Sequence, residues 1–306
     1  EVFHLMREPN EKLIMALILV LSIGIKFSDA GAISFTIGKA SIALSGLAVG
    51  SLIGILLNAI LPGKDYTFRA DPKRVNELFK IGVDYVNLAN NHVFDFQNEG
   101  IIDTLDTLQD AKMPYVGAGY DLDEAMQPLY FLANDLKIAV VSATQIERST
   151  NFTREAAEDS AGVLKTLNPA RFVSVISEAD KHADAVIVIA HWGTEGNTQY
   201  GADQINLANA FVNAGADAII GGHTHCLQGI EYIGDVPVYY SLGNFWFSLS
   251  EVMPEPYDTG LAELKIDKDG NITPYFTPCR FADGKTVLAD GSETERIDNF
   301  VESLSQ

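Results

Sequence analysis

The sequence predicts an α/β domain over residues 65–290 behind a hydrophobic membrane segment over residues 1–64, with 291–306 as a C-terminal tail. Three observations predict this. After residue 64, strand-like apolar runs alternate with helix-like stretches, the pattern of a layered α/β fold. Before it lie two uncharged apolar runs, 13–25 and 40–62. The charge balance also changes at that point. Residues 1–64 hold five Lys/Arg and four Asp/Glu, and the remainder holds 16 against 37, so the acidity belongs to the second half.

The first run, "LIMALILVLSIGI", is borderline for a membrane helix and also reads as a buried helix or a signal-peptide core. The second, "ASIALSGLAVGSLIGILLNAILP", has 23 residues and no charge, so a spanning helix is expected there. Its small residues (Ser45, Gly46, Gly50, Ser51, Gly54) suit close helix packing in lipid. Past Pro62-Gly63, strands are expected at 84–89, 137–144, 183–190, 216–222 and 236–243, and helices at 73–81, 98–111, 168–181 and 202–214. Asp-Gly pairs at 269–270 and 283–284 mark hairpins.

A net charge of −20 and a pI near 4.5 argue against nucleic acid as a partner, because phosphate contacts need Lys and Arg. Cys226 and Cys279 give neither a disulfide framework nor a redox address.

Four of the six histidines directly follow expected strands: His92, His191, His223 and His225. Open α/β sheets build their sites at those strand ends. Imidazole with amide or carboxylate oxygen is a ligand set for Zn, Mn or Fe. In His223-Thr224-His225 the two-residue spacing puts both rings on one face of a strand, serving one metal or two neighbouring ones. Gly221 and Gly222 are expected to let the backbone approach closely. Asp95 reads either as the carboxylate that orients His92 or as a helix N-cap. Trp192 reads as a pocket wall or as core.

The stretches "LANNHVFDFQNEGIIDTLDTL", "YVGAGYDLDEA", "AHWGTE", "AGADAIIGGHTHCLQGIE" and "VYYSLGNFWF" together resemble the CapA family of bacterial poly-γ-glutamate capsule synthesis, from about Tyr66 to the 280s. The resemblance implies a metallophosphatase-like four-layer αββα sandwich with a two-metal site. It implies Asn91, His191 and His223 on one metal, His225 on the other, and His92 beside the substrate as general acid, with Asp95 behind it. Trp192, Glu195 and Asn244 are expected on the substrate side. The expected Gly-Asp and Asn-Leu-Glu segments, whose carboxylates hold and bridge the metals, are not found upstream of Lys73. The domain is therefore expected to be truncated at its N-terminus, to bind at most one divalent ion (Mn, Fe or Zn) weakly, and to have little hydrolytic activity.

Residues 1–64 resemble the C-terminal membrane helices of uracil/xanthine-type permeases, which suggests a fragment or fusion joined near Gly63-Lys64. Two functions compete. One is a metal-dependent hydrolase or phosphoesterase of capsule biosynthesis; the other is a non-catalytic membrane-anchored partner in polymer synthesis or export. A permease remnant is the weakest reading, since two helices cannot form a transport site. The expected partners are the membrane and the capsular polymer or its synthesis and export proteins. The expected location is a bacterial cell membrane. The resemblance puts the domain outside the cell, whereas the Lys/Arg distribution around the two runs puts both termini inside.

Overall fold

A computed structural model of the chain describes residues 32–37, 40–45, 67–146, 153–247 and 255–305. The chain divides into two units, Glu1–Asp71 and Pro72–Gln306. In the first, β1 (Ala32–Ile37) and β2 (Ala40–Ser45) pair antiparallel, with Ile37 opposite Ala40. This corrects the membrane helix expected from residue 40 onward, because the described part of that run is extended. In "ASIALS", Ile42 and Leu44 alternate with smaller residues at the strand period, which overall hydropathy does not register. No helix among the described residues is long and apolar enough to cross a membrane. The run 13–25, residues 46–62 and most of the permease-like stretch lie outside the described residues.

The second unit is a mixed α/β fold. Its largest sheet has six strands: β6 (Leu129–Ala133), β7 (Leu136–Thr144), β9 (Ala185–His191), β10 (Ala218–Gly222), β11 (Ile230–Ile233) and β12 (Val236–Tyr239), in the order β11-β12-β10-β9-β7-β6. The four central strands, β12, β10, β9 and β7, run parallel, and the two edge strands run antiparallel to their neighbours. Continuous apolar runs such as "AVIVIA" in β9 explain the central placement, since a parallel strand is covered on both faces.

One face is covered by α4 (Ala170–Asp180) and α5 (Ala202–Asn213). Helix α4 buries Phe172, Val175, Ile176 and Ala179, spaced as one helical stripe. Together with Phe211 and Ala208 of α5 they pack on Val141, Val188 and Ile219. On the other face, Ile138, Val140, Ile187 and Ala218 meet Leu264, Ile266 and Ile272. Those last three belong to β13 (Tyr257–Ile266) and β14 (Ile272–Ala282), which form a second sheet with β15 (Lys285–Leu288). Both expected hairpins are present. Asp283 and Gly284 have φ of 51° and 71°, the left-handed pair that a two-residue hairpin turn requires.

Shorter elements complete the unit. A 3-10 turn, Pro72–Arg74, leads into α1 (Val75–Lys80), then β3 (Val86–Asn87) and α2 (Gln97–Ala111). Strand β4 (Tyr115–Val116) pairs parallel with β3. β5 (Ala118–Gly119) pairs with β8 (Gly162–Val163), and α3 (Leu122–Ala125) follows β5. The last residues, set apart above as a tail, include α6 (Gly291–Leu304). It buries Ile297 and Val301 against Leu227, and Ser305 Oγ accepts the Ile230 amide at 2.8 Å.

Candidate metal centre

The parallel order of β7, β9, β10 and β12 brings their carboxyl ends to one edge of the sheet, so residues far apart in sequence emerge together. His191 is the last residue of β9, and His223 follows β10 directly. Their rings lie 4.7 Å apart between centroids, and those of His223 and His225 lie 6.0 Å apart. His191 Nε2 is 2.9 Å from Asn91 Oδ1, across 100 positions of sequence. His92 Nδ1 is 2.8 Å from Asp95 Oδ2. Glu195 Oε1 is 3.9 Å from His223 Nε2, and Glu195, His223 and His225 each offer a donor atom within 4.8 Å of the others'. Among the described residues this is the one group of three or more His, Cys, Asp or Glu side chains close enough to hold a metal ion.

The backbone here is strained. His223 and His225 have φ of 101° and 62°, a region that non-glycine residues rarely enter. Such outliers persist where surrounding structure holds them, and they concentrate at functional sites. Thr224, fully buried between them, is the anchor: its Oγ1 donates to Cys226 O at 3.0 Å and its carbonyl accepts the Gly196 amide at 2.8 Å. Gly221 must be glycine, because a Cβ there would sit 2.1 Å from Tyr240 O and 2.3 Å from Trp192 Nε1. Gly222 has open space at that position, so the expected close approach belongs to Gly221 alone.

Burial, and then the neighbouring imidazoles of His223, His225 and His92, push the His191 pKa well below its ordinary value. His191 is therefore neutral at pH 7, the form that ligates a metal. Two side-chain amide nitrogens, Asn91 Nδ2 and Asn244 Nδ2, are buried with no hydrogen-bond partner among the described residues. Each belongs to an amide whose oxygen already meets a histidine: Asn91 meets His191, and Asn244 Oδ1 lies 2.9 Å from His225 Nδ1. Imidazole, amide oxygen and one carboxylate suit Mn, Fe or Zn. The residues present fit a divalent cation.

The expected residues thus divide. Asn91, His191, His223 and His225 come together, and Asp95 acts on His92. It is not a helix cap, since α2 starts at Gln97 with Phe96 in the cap position and no side-chain cap bond. Trp192 is not a pocket wall. It is fully buried, stacks on Phe211 and Tyr240, and donates from Nε1 to Tyr240 O at 2.8 Å. Residues alternate faces along a strand, so His191 facing the site sends Trp192 into the core. Asn244, expected against substrate, holds His225 instead. Glu195, also expected there, stands in the donor group, so the centre has a carboxylate after all. Gln204, Gln228 and the Phe247 ring, 5.4 Å from that of His225, were missed. The glycines flanking Glu195 at 193 and 196 were the available signal for a specialised loop. That loop borders a groove of about 460 Å³ lined by Gln145, Gly193, Thr194, Asn197, Gly201 and Gln204.

The profile of the family described as bacterial capsule synthesis protein PGA_cap matches residues 45–249. The chain belongs to this family. The PGA_cap match includes every donor named above. The chain is 35% identical over 208 residues to the PGA biosynthesis protein CapA of Bacillus subtilis, covering 68% of this chain and 53% of that protein. It is 30% identical over 225 residues to the capsule biosynthesis protein CapA of Bacillus anthracis, covering 72% and 53%. The chain spans about half the length of these curated relatives. A putative 5'-nucleotidase from Staphylococcus aureus, solved in complex with alpha-ketoglutarate, aligns with a TM-score of 0.46 at 18% identity, over 75% of this chain and 44% of that one.

Proposed function

We propose that this PGA_cap chain carries a single-cation centre of metallophosphatase type, with hydrolase or phosphoesterase chemistry of low turnover, and works in capsular poly-γ-glutamate synthesis. The observation that carries the reading is the convergence of Glu195, His223 and His225 on one point, with the His191 ring tilted against His223 at 4.7 Å between centroids. His191, His223, His225, Glu195 and the Asn91 oxygen would hold the ion. A bound divalent cation would polarise a phosphoryl or acyl oxygen.

The chain's own groups do the rest. Asp95 accepts the hydrogen bond from His92 Nδ1–H, which fixes the ring, so that when the ring carries a second proton its Nε2–H can hand that proton to a leaving oxygen. Asn244 orients His225 in the same way, through Nδ1. The groove lined by Gly193, Thr194 and Asn197, close in sequence to Glu195, would receive an extended substrate. Among the described residues one donor group, Glu195, His223 and His225, is close enough to hold an ion, and the reading takes one ion there. In this reading the partners are the capsular polymer or its synthesis and export proteins, at the bacterial cell envelope.

Calorimetry with Mn is expected to give one site per chain, abolished in H223A. H92N is expected to keep the ion while hydrolysis of bis(p-nitrophenyl) phosphate falls about 100-fold. Two tightly bound ions would overturn the single-cation centre. Full turnover in H92N would remove His92 as the proton donor, and an H92N variant that has lost hydrolysis yet supports capsule formation in cells lacking their own protein would favour a non-catalytic partner.

A further inference from the structure

Glu195 sits on a loop that little else would fix. It lies between Gly193 and Gly196, with φ of 88° and 73°, and is itself exposed. The loop is nevertheless pinned, and two of its four anchors lead to one buried amide pair. Gln204 and Gln228 are 2% and 1% exposed, and Gln204 Nε2 donates to Gln228 Oε1 at 2.9 Å. Gln204 Oε1 accepts the Gly201 amide at 3.1 Å, and Gln228 Nε2 donates to Asn197 O at 2.8 Å. The third anchor is the Gly196 amide on Thr224 O, between the two histidines. A fourth is the Gly193 amide on Gln145 Oε1 at 3.2 Å, and a Cβ on Gly193 would lie 2.9 Å from Gln204 Oε1, so the loop's first residue also packs against the pair.

A buried amide costs stability unless its bonds are made, and an apolar side chain could fill the same space. Here the amides bond to each other and to two points just beyond Glu195, Asn197 and Gly201. Gln228 also stands three residues beyond His225, so the pair ties the loop to the histidine turn. We infer that Gln204 and Gln228 are positioning residues for the cation centre: they hold Glu195 where its carboxylate meets the donors of His223 and His225. This rests on the cation reading above, with Glu195 as the group through which the pair acts.

The test is a mutant cycle on the whole chain, read by Mn calorimetry and thermal unfolding. Q228M leaves Gln204 Nε2 and Asn197 O unpaired; it is expected to lower Tm and weaken Mn binding about 10-fold. Q204M/Q228M removes both amides of the pair, so stability is expected to recover while Mn binding stays weak. E195Q is expected to weaken Mn binding to a similar degree, and E195Q/Q228M no further. A role confined to packing would restore both properties in the double methionine variant, and additive losses with E195Q would equally overturn the inference. Amide exchange in chelator separates this from failure of the cation reading. Residues 193–201 are expected to exchange faster in Q228M than in wild type whether or not Mn binds. Unchanged exchange there removes the clamp, whereas a wild type that binds no Mn removes the centre.

Discussion

His191 ends a strand whose next residue, Trp192, is wholly inside the protein, and its own ring is held neutral by burial and by three neighbouring imidazoles. In the cation-free protein this has a pH signature. The unfolded chain takes up a proton below about pH 6.5 that the folded chain refuses, so stability is full above that pH and lost as pH falls. The slope is about 1.4 kcal/mol per pH unit for this one group. Urea midpoints in chelator at pH 7.5, 6.5 and 5.5 are expected to fall more steeply for wild type than for H191Q; parallel curves would refute the assignment. The four histidines were legible because each follows an apolar strand and a strand end is where side chains leave the sheet. Trp192 was readable by the same alternation, which assigns it to the face opposite His191. Gln204 and Gln228 were not, because a glutamine in sequence looks like surface polarity and its partner stands 24 positions away.

Helix α6 shows where element-level reading stops. "GSETERIDNFVESL" is mostly polar, and its few apolar residues look sparse for a packed helix. Yet Ile297, Val301 and Leu304 fall on one buried stripe, and Ile297 and Val301 pack with Leu227, two residues beyond His225. I297A is expected to cost about 3 kcal/mol, the range for emptying a fully buried isoleucine site. A loss below about 1 kcal/mol in chemical denaturation would show that the helix is peripheral. The central strands were readable as runs of β-branched residues. β13 and β14 were not, because their alternation of charged and apolar residues is common to surface strands and loops, and only the Asp-Gly turns marked them. The helix expected from residue 40 gives way to strand over 40–45 for a related reason: those six residues alternate at the strand period inside a run whose composition suits lipid.

At the scale of the whole chain, a net charge of −20 shapes what can approach the centre. Polyanions are repelled and divalent cations are enriched near the surface. The range of that field is about 30 Å at 0.01 M salt and about 8 Å at 0.15 M. Mn binding is therefore expected to weaken about threefold or more between those two conditions. Calorimetry at both ionic strengths checks this; an unchanged affinity would mean that only the local donors act.

Asn91 and Asn244 are 153 positions apart, and both serve histidines at one rim. No segment of the nascent chain can coordinate an ion in this way until β7, β9, β10 and β12 have zipped side by side. The ion would then recognise only the finished sheet, and its availability would draw the folding equilibrium toward that sheet. Starvation for the ion would first appear as a shortage of native protein.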